Sequence, residues 1–202
     1  MTAARRGPFA SRLALLVALL GSACNAERPS PASAAPADEQ LIASPPPGWV
    51  QVGGLSRGDV RIAEYGDPAT LTPTRVDSIR FESLGGKPLP DPIDIVVATG
   101  LDLSKRCEGF QDTPIFSGYE NGYPTSVRLM FCRQQGRPPW GEVRMVKAIR
   151  GNEHVYIISR SRRTPPLQPH IEPLSAAEMA SWSYGFSLIT VCDPRDPGHP
   201  CP

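Results

Sequence analysis

Downstream of residue 48 the hydrophobic positions recur with two different periods, and the places where the period changes mark out the elements. Trp49-Val50-Gln51-Val52 opens as a strand. Asp59 to Tyr65 alternates with Val60 and Ile62 on one face, and Ser78-Ile79-Arg80-Phe81-Glu82 repeats that period of two before stopping at Gly85-Gly86. The period then lengthens: Asp91 and Pro92 form a start signal, and Ile93, Val96, Val97 and Leu101 follow at helical spacing up to Cys107, with Gly100 as the one residue that argues against a helix.

Two hairpins come next. Ile115 to Glu120 and Tyr123 to Cys132 flank Asn121-Gly122, and Glu142 to Arg150 and Glu153 to Arg163 flank Gly151-Asn152. Both dipeptides accept positive φ at little cost, so four consecutive antiparallel strands are expected. A second helix closes the pattern, with Ser175 and Glu178 as a capping box and Met179, Trp182, Phe186 and Ile189 as an apolar stripe. This order predicts an α+β domain over 48–202, an antiparallel sheet of about six to seven strands with two helices packed on it.

The first 47 residues follow different rules. Arg5, Arg6 and Arg12 precede the apolar run Leu13 to Leu20, which is too short to cross a bilayer and is followed by the small residues Gly21-Ser22-Ala23. Residues 1–23 therefore read as a secretory signal peptide. From Asn25 to Pro47 the chain is dominated by Pro and Ala with little to bury, so 24–47 reads as an extended linker ahead of the domain.

Composition and charge narrow the function classes. With 202 residues, 40% of them hydrophobic, the chain can build one core and is neither a repeat array nor disordered throughout. Loss of the signal peptide removes three arginines and no acid, which turns a net charge of +1 into −2. A nucleic-acid partner is not expected from that balance. Arg160-Ser161-Arg162-Arg163 is the one basic run, and at the end of a strand it reads as a solvated edge that discourages sheet-to-sheet pairing.

Of the five cysteines, Cys24 sits at the boundary of the signal and the other four, Cys107, Cys132, Cys192 and Cys201, form an even set suited to an oxidising compartment. Three pairings are open. The favoured one joins Cys107 to Cys132 and Cys192 to Cys201, because each pair is close in sequence and brackets a segment that must fold back on itself. The spacings support no metal centre, since there is no Cys-x-x-Cys and His154, His170 and His199 are isolated from one another. His199 beside Cys201 reads as a satisfied loop histidine.

Leu20-Gly21-Ser22-Ala23-Cys24 resembles the lipobox of bacterial lipoproteins, with Gly21 where that motif usually has Leu. The resemblance implies lipidation of Cys24 and attachment to a membrane, and Asn25 in place of Asp implies the outer one. The alternative is ordinary signal-peptidase cleavage after Ala23 or Ala26, which leaves a free exported protein. The element order is similar to the PsbP/DcrB-like α/β fold. Tyr119 to Pro124, Val146 to Asn152 and the terminal Val191-Cys192-Asp193 with Cys201-Pro202 resemble a group of uncharacterised proteobacterial exported proteins, a resemblance that implies no activity.

No catalytic motif emerges: there is no Gly-x-Ser-x-Gly elbow, no His-Glu-x-x-His helix and no phosphate-binding loop. Glu120 and Glu153 are the best-placed acid/base candidates, and both read as solvated turn carboxylates. Trp49, Trp140 and the tyrosines read as packing residues. No cofactor or metal is expected. Three function classes stay open: a non-catalytic envelope lipoprotein that binds or supports a protein partner in the periplasm, an immunity or exclusion lipoprotein acting against a secreted factor, and a hydrolase whose site would need converging Glu, His or Ser groups.

Overall fold

In the computed structural model, residues 38–72, 75–168 and 173–202 are described. The signal-like segment, Cys24 and His170 lie outside them. The elements run β1 (Gln40–Ile42), β2 (Val50–Arg57), β3 (Val60–Gly66), β4 (Val76–Gly85), α1 (Pro92–Arg106), β5 (Glu108–Glu120), β6 (Tyr123–Gln135), β7 (Trp140–Arg150), β8 (His154–Thr164), α2 (Ala176–Ser187) and β9 (Thr190–Cys192). Seven strands form one antiparallel sheet in the order β2-β3-β4-β8-β7-β6-β5, and β1 and β9 form a separate two-stranded ladder. The fold is thus the α+β sheet with two helices that the periodicity predicts.

The crossover through α1 explains the strand order. After β4 the chain passes through α1 to the far edge, and β5 to β8 return strand by strand until β8 pairs with β4. Helix α1 starts where Asp91 accepts the Ile93 N–H at 3.1 Å, with Pro92 in the first turn, and Lys105 and Arg106 complement the dipole in its last turn. Gly100 is buried in α1 on the face that meets β5 and β6, where a Cβ would make ordinary contacts of 3.5 Å with Met130 Cε and 3.4 Å with Asp112 Oδ2, so it does not interrupt the helix.

Strand alternation gives the sheet two buried faces. On one, Val96 and Leu103 of α1 pack on Met130, Cys132, Val146 and Ala148. On the other, Trp182 and Phe186 of α2 pack on Val143, Met145, Ile149, Tyr156 and Ile158. Burial of an aromatic side chain of this size contributes on the order of 2–3 kcal/mol, so α2 is held chiefly by Trp182 and Phe186.

Three features depart from the sequence-based expectation. Residues 40–42, placed in the linker by composition, form β1 and pair Gln40 with Cys192 and Ile42 with Thr190; three residues among prolines carry no periodicity, and their partner lies at the other end of the chain. Gly151 does not take positive φ, whereas Asn121 and Gly122 do at 48° and 79°. Gly151 instead leaves room for the Glu39 carboxylate, which a Cβ there would displace. Finally, Arg160 to Arg163 do not line an edge. Strand β8 lies at the centre of the sheet between β4 and β7, and the edges are β2 and β5, each interrupted by a register shift, at Gln51/Gly53 and Pro114/Phe116.

Candidate functional site

On β8 the side chains of Tyr156, Ile158, Arg160 and Arg162 share the face that carries α2, so the core row of the strand continues directly into two guanidinium groups. Trp182 of α2 covers both, with its ring centroid 4.6 Å from Arg160 Cζ and 5.7 Å from Arg162 Cζ. Trp49, immediately before β2, approaches Arg160 at 5.5 Å. Guanidinium groups this close to indole rings are attracted by the ring quadrupole.

The two arginines differ in their partners. Arg162 faces Asp77 of β4 across the register pair, donating from Nε to Oδ1 at 2.9 Å and from Nη2 to Oδ2 at 3.0 Å, and its Nη1 donates to Glu178 in the first turn of α2. Burial works against its charge, and the Asp77 and Glu178 hydrogen bonds outweigh it, so its pKa rises above the ordinary value. Arg75 adds a contact to Asp77 at 3.6 Å. Arg160 makes no hydrogen bond or ion pair with any described residue, and its Nε is buried without an acceptor. Burial lowers the Arg160 pKa, Asp77 opposes that, and the neighbouring Arg162 adds to it.

These groups line a cavity of about 400 Å³ bounded by Trp49, Trp182, Asp67, Asp77, Arg75 and the first turns of α2. Asp67 Oδ1 accepts the Ala69 N–H at 2.9 Å, and Glu178 is shared between Arg162 and its own capping box. Arg160 is thus the cation of the cleft that makes no direct ion pair, although the Asp77 charge acts on it. Such a cleft can grip an anionic group and stack an apolar one. No His or Cys lines it, and among the described residues no group of three or more His, Cys, Asp or Glu is placed to hold a metal ion.

The charges elsewhere on this face are saturated. Lys147 of β7 is 1% exposed, and its ammonium donates to the carbonyls of Phe186 at 2.9 Å and Ile189 at 2.7 Å and pairs with Glu120. Burial lowers its pKa while Glu120 pulls it back. Arg195 binds Asp38 at 2.9 Å, Glu153 at 2.8 Å and Asp193 at 2.8 Å. Glu39 accepts from the Asn152 N–H and from the Tyr156 hydroxyl at 3.2 Å. The pKa of Tyr156 is raised by burial first and by Glu39 second. The acid/base candidates Glu120 and Glu153 are therefore ion-pair partners that hold α2 and the chain ends in place.

Both favoured cysteine pairs form disulfides. Cys107–Cys132 ties the end of α1 to β6 with Cα atoms 5.6 Å apart, and Cys192–Cys201 closes the C-terminal loop with Cα atoms 5.0 Å apart. That loop docks on the Asn121-Gly122 turn. Asn121 donates to the carbonyls of Val191 at 2.9 Å and Pro200 at 3.0 Å, and His199 stacks on Tyr123 at 4.0 Å with Nδ1 2.9 Å from the Asn121 carbonyl. His199 is a satisfied loop histidine, in agreement with its sequence context.

Sequence reasoning passed over Arg160 and Arg162 as solvated, although one signal marks them: they fall at the same parity as Tyr156 and Ile158, which points a cation toward the core. A second cavity of about 500 Å³ lies where β1 roofs β2 to β4, over Leu41, Ala63, Phe81 and Tyr156. Of its carboxylates, Asp38, Glu39 and Glu153 belong to the contacts that hold the chain ends, and Glu82 pairs with Arg80.

No family model matches the chain, and no curated protein matches it. Two solved structures share its general outline. PA94 of Pseudomonas aeruginosa, a protein of unknown function, is 18% identical over 65% of this chain and 83% of its own, with a TM-score of 0.43. LpqN of Mycobacterium tuberculosis, a protein involved in cell envelope biogenesis, is 12% identical over 79% of this chain and 87% of its own, with a TM-score of 0.44. At these levels the likeness carries no argument about activity, and the residues have to supply it.

Proposed function

We propose that this chain is an exported, lipid-anchored binding module of the cell envelope that acts on no substrate and engages its partner through the cleft between β8 and α2. The observation that carries this reading is Arg160, a guanidinium close to two indoles that makes no hydrogen bond or ion pair with a described residue and whose Nε is buried without an acceptor. An arrangement of that kind supplies affinity for an anionic group, and it places no nucleophile and base side by side. Two further features support the envelope setting. The disulfides close short segments of the chain, as expected where thiols are oxidised, and the lipobox-like segment before Cys24 offers an attachment point.

The test has two arms. Cells are fed an alkyne-tagged fatty acid, and label is expected on the full chain and absent from a Cys24→Ala variant, which also moves to the soluble fraction. Affinity capture from intact envelopes is then compared between the natural chain and Arg160→Gln. Loss of the captured envelope protein in the variant supports the cleft as the binding surface, and equal capture by both chains removes it.

A further inference from the structure

The geometry points to the class of ligand that the cleft takes: we propose that Arg160 binds a single carboxylate whose apolar or aromatic substituent lies against Trp49 and Trp182. This rests on the cleft being a binding site, and it goes further by naming the chemistry. The guanidinium is planar and presents its N–H groups in a fork, and with two indole rings 4.6 and 5.5 Å from its Cζ, the edge of the fork is where it can still hydrogen-bond a ligand. A planar carboxylate matches that edge with two parallel hydrogen bonds.

Charge selects against the commoner alternative. Three carboxylates, those of Asp67, Asp77 and Glu178, line the same cavity. Arg162 neutralises Asp77 through hydrogen bonds of 2.9 and 3.0 Å and also holds Glu178. With Arg75, Arg160 and Arg162 set against these three acids the lining is formally neutral, so a bound monoanion leaves one excess negative charge and a dianion two, and a phosphate monoester at neutral pH is disfavoured relative to a carboxylate. The free volume, about 400 Å³, fits a ligand the size of an amino-acid derivative or the last residues of a peptide. A carboxylate of this kind can come from a free small acid or from the C-terminus of a protein partner.

Titrations on the purified full chain in detergent, followed by tryptophan fluorescence, separate these cases. The probes are N-acetylphenylalanine, its amide, a tripeptide with a free C-terminal Phe, the same tripeptide amidated, and inorganic phosphate. Saturable changes are expected for the two free acids and none for the amides. The tighter of the two acids identifies the source as small molecule or peptide end. Arg160→Gln is expected to weaken binding about tenfold or more, the scale of one lost charge-assisted contact, with its unfolding midpoint retained. Arg160→Lys, which keeps the charge but loses the fork, is expected to fall between the two.

Equal responses to acid and amide, phosphate binding as tight as the acids, or unchanged affinity in a folded Arg160→Gln chain would overturn the proposal. Should Arg160→Gln abolish capture of an envelope partner while no carboxylate binds, the carboxylate assignment fails and the binding-module reading stands.

Discussion

Lys147 is buried and Arg160 half-buried on the same face of the sheet beneath α2, and they have opposite fates. Lys147 sits under the C-terminal turn of the helix, where the Phe186 and Ile189 carbonyls and the Glu120 carboxylate take up its three donors. Arg160 sits two strand positions before Arg162, beneath the N-terminal half of the helix, and has aromatic faces for neighbours and no described acceptor. Burying a charge is costly unless its hydrogen bonds are made. At Lys147 the protein recovers that cost within the fold, and a cation near a helix C-terminus is further favoured by the dipole. Arg160 is half-buried, with only its Nε shut away without an acceptor, so beyond the Asp77 charge the rest of its guanidinium is left to solvent or to a ligand.

The sharpest way to break this contrast is to replace each cation by an apolar residue of similar length. Lys147→Met leaves two helix-end carbonyls without their donor and Glu120 without its partner, so a loss of about 3–5 kcal/mol is expected in urea unfolding. Arg160→Met orphans no described group and forfeits only the stacking on Trp49 and Trp182, so its expected change stays within about 1 kcal/mol in either direction. Comparable losses in the two variants would mean that Arg160 is a structural cation like Lys147, and the cleft would cease to be a candidate site.

The next effects concern the two disulfides. Loop-closure entropy predicts about 3–4 kcal/mol for the bridge that spans 25 residues, Cys107–Cys132, and about 2–3 kcal/mol for the one that spans 9, Cys192–Cys201. Double alanine variants measured by denaturant unfolding check both values. Loss of Cys192–Cys201 is also expected to raise amide exchange in β1, because β9 and the C-terminal loop hold that strand through its ladder and through the Arg195–Asp38 pair. Exchange around Trp182 should be unchanged. A variant that loosened both regions together would show that cleft and chain ends are not independent.

These results also locate where the sequence was readable. Hairpins and helices are legible because their signals are local: Asn121-Gly122 meets the demand for positive φ, and Ser175 with Glu178 forms both halves of the capping box. Both disulfides follow from short spacing. Strand β1 is not legible, because Glu39, Gln40 and Leu41 acquire meaning only against Asn152, Cys192 and Val191, more than 100 residues away. The place of β8 is hidden for the same reason. Only the crossover through α1 puts it at the centre of the sheet, which turns an apparent edge of arginines into the floor of a cleft. The alternation that aims Arg160 inward is visible, but the sequence alone does not say that Trp49 and Trp182 close over it.

The smallest expected effect probes Arg162, the paired neighbour against which Arg160 is judged. The Ser175 backbone N–H first, then Arg162 and the Ser175 hydroxyl, hold the Glu178 carboxyl down at about 2. In an unfolded chain a glutamate titrates near 4.3. Depressed in the folded state, this group contributes its stability in full above about pH 5, and the contribution is lost as pH falls toward 2. Because the Glu178 side chain is 40% exposed, solvent screens the pair and the effect should not exceed about 1 kcal/mol. Asp193, held at about 2 by Arg195, titrates in the same window and serves as the comparison away from the cleft. Unfolding free energies measured from pH 6 to pH 2 should fall less steeply in Glu178→Gln than in the natural chain, and Asp193→Asn should flatten the curve independently of it. Protonation of Glu178 leaves Arg162 with Asp77 alone and so brings it one step closer to the unpaired state of Arg160. If the slope of Glu178→Gln matches that of the natural chain, the Arg162–Glu178 contact contributes nothing measurable, and the difference between the two arginines rests on Asp77 alone.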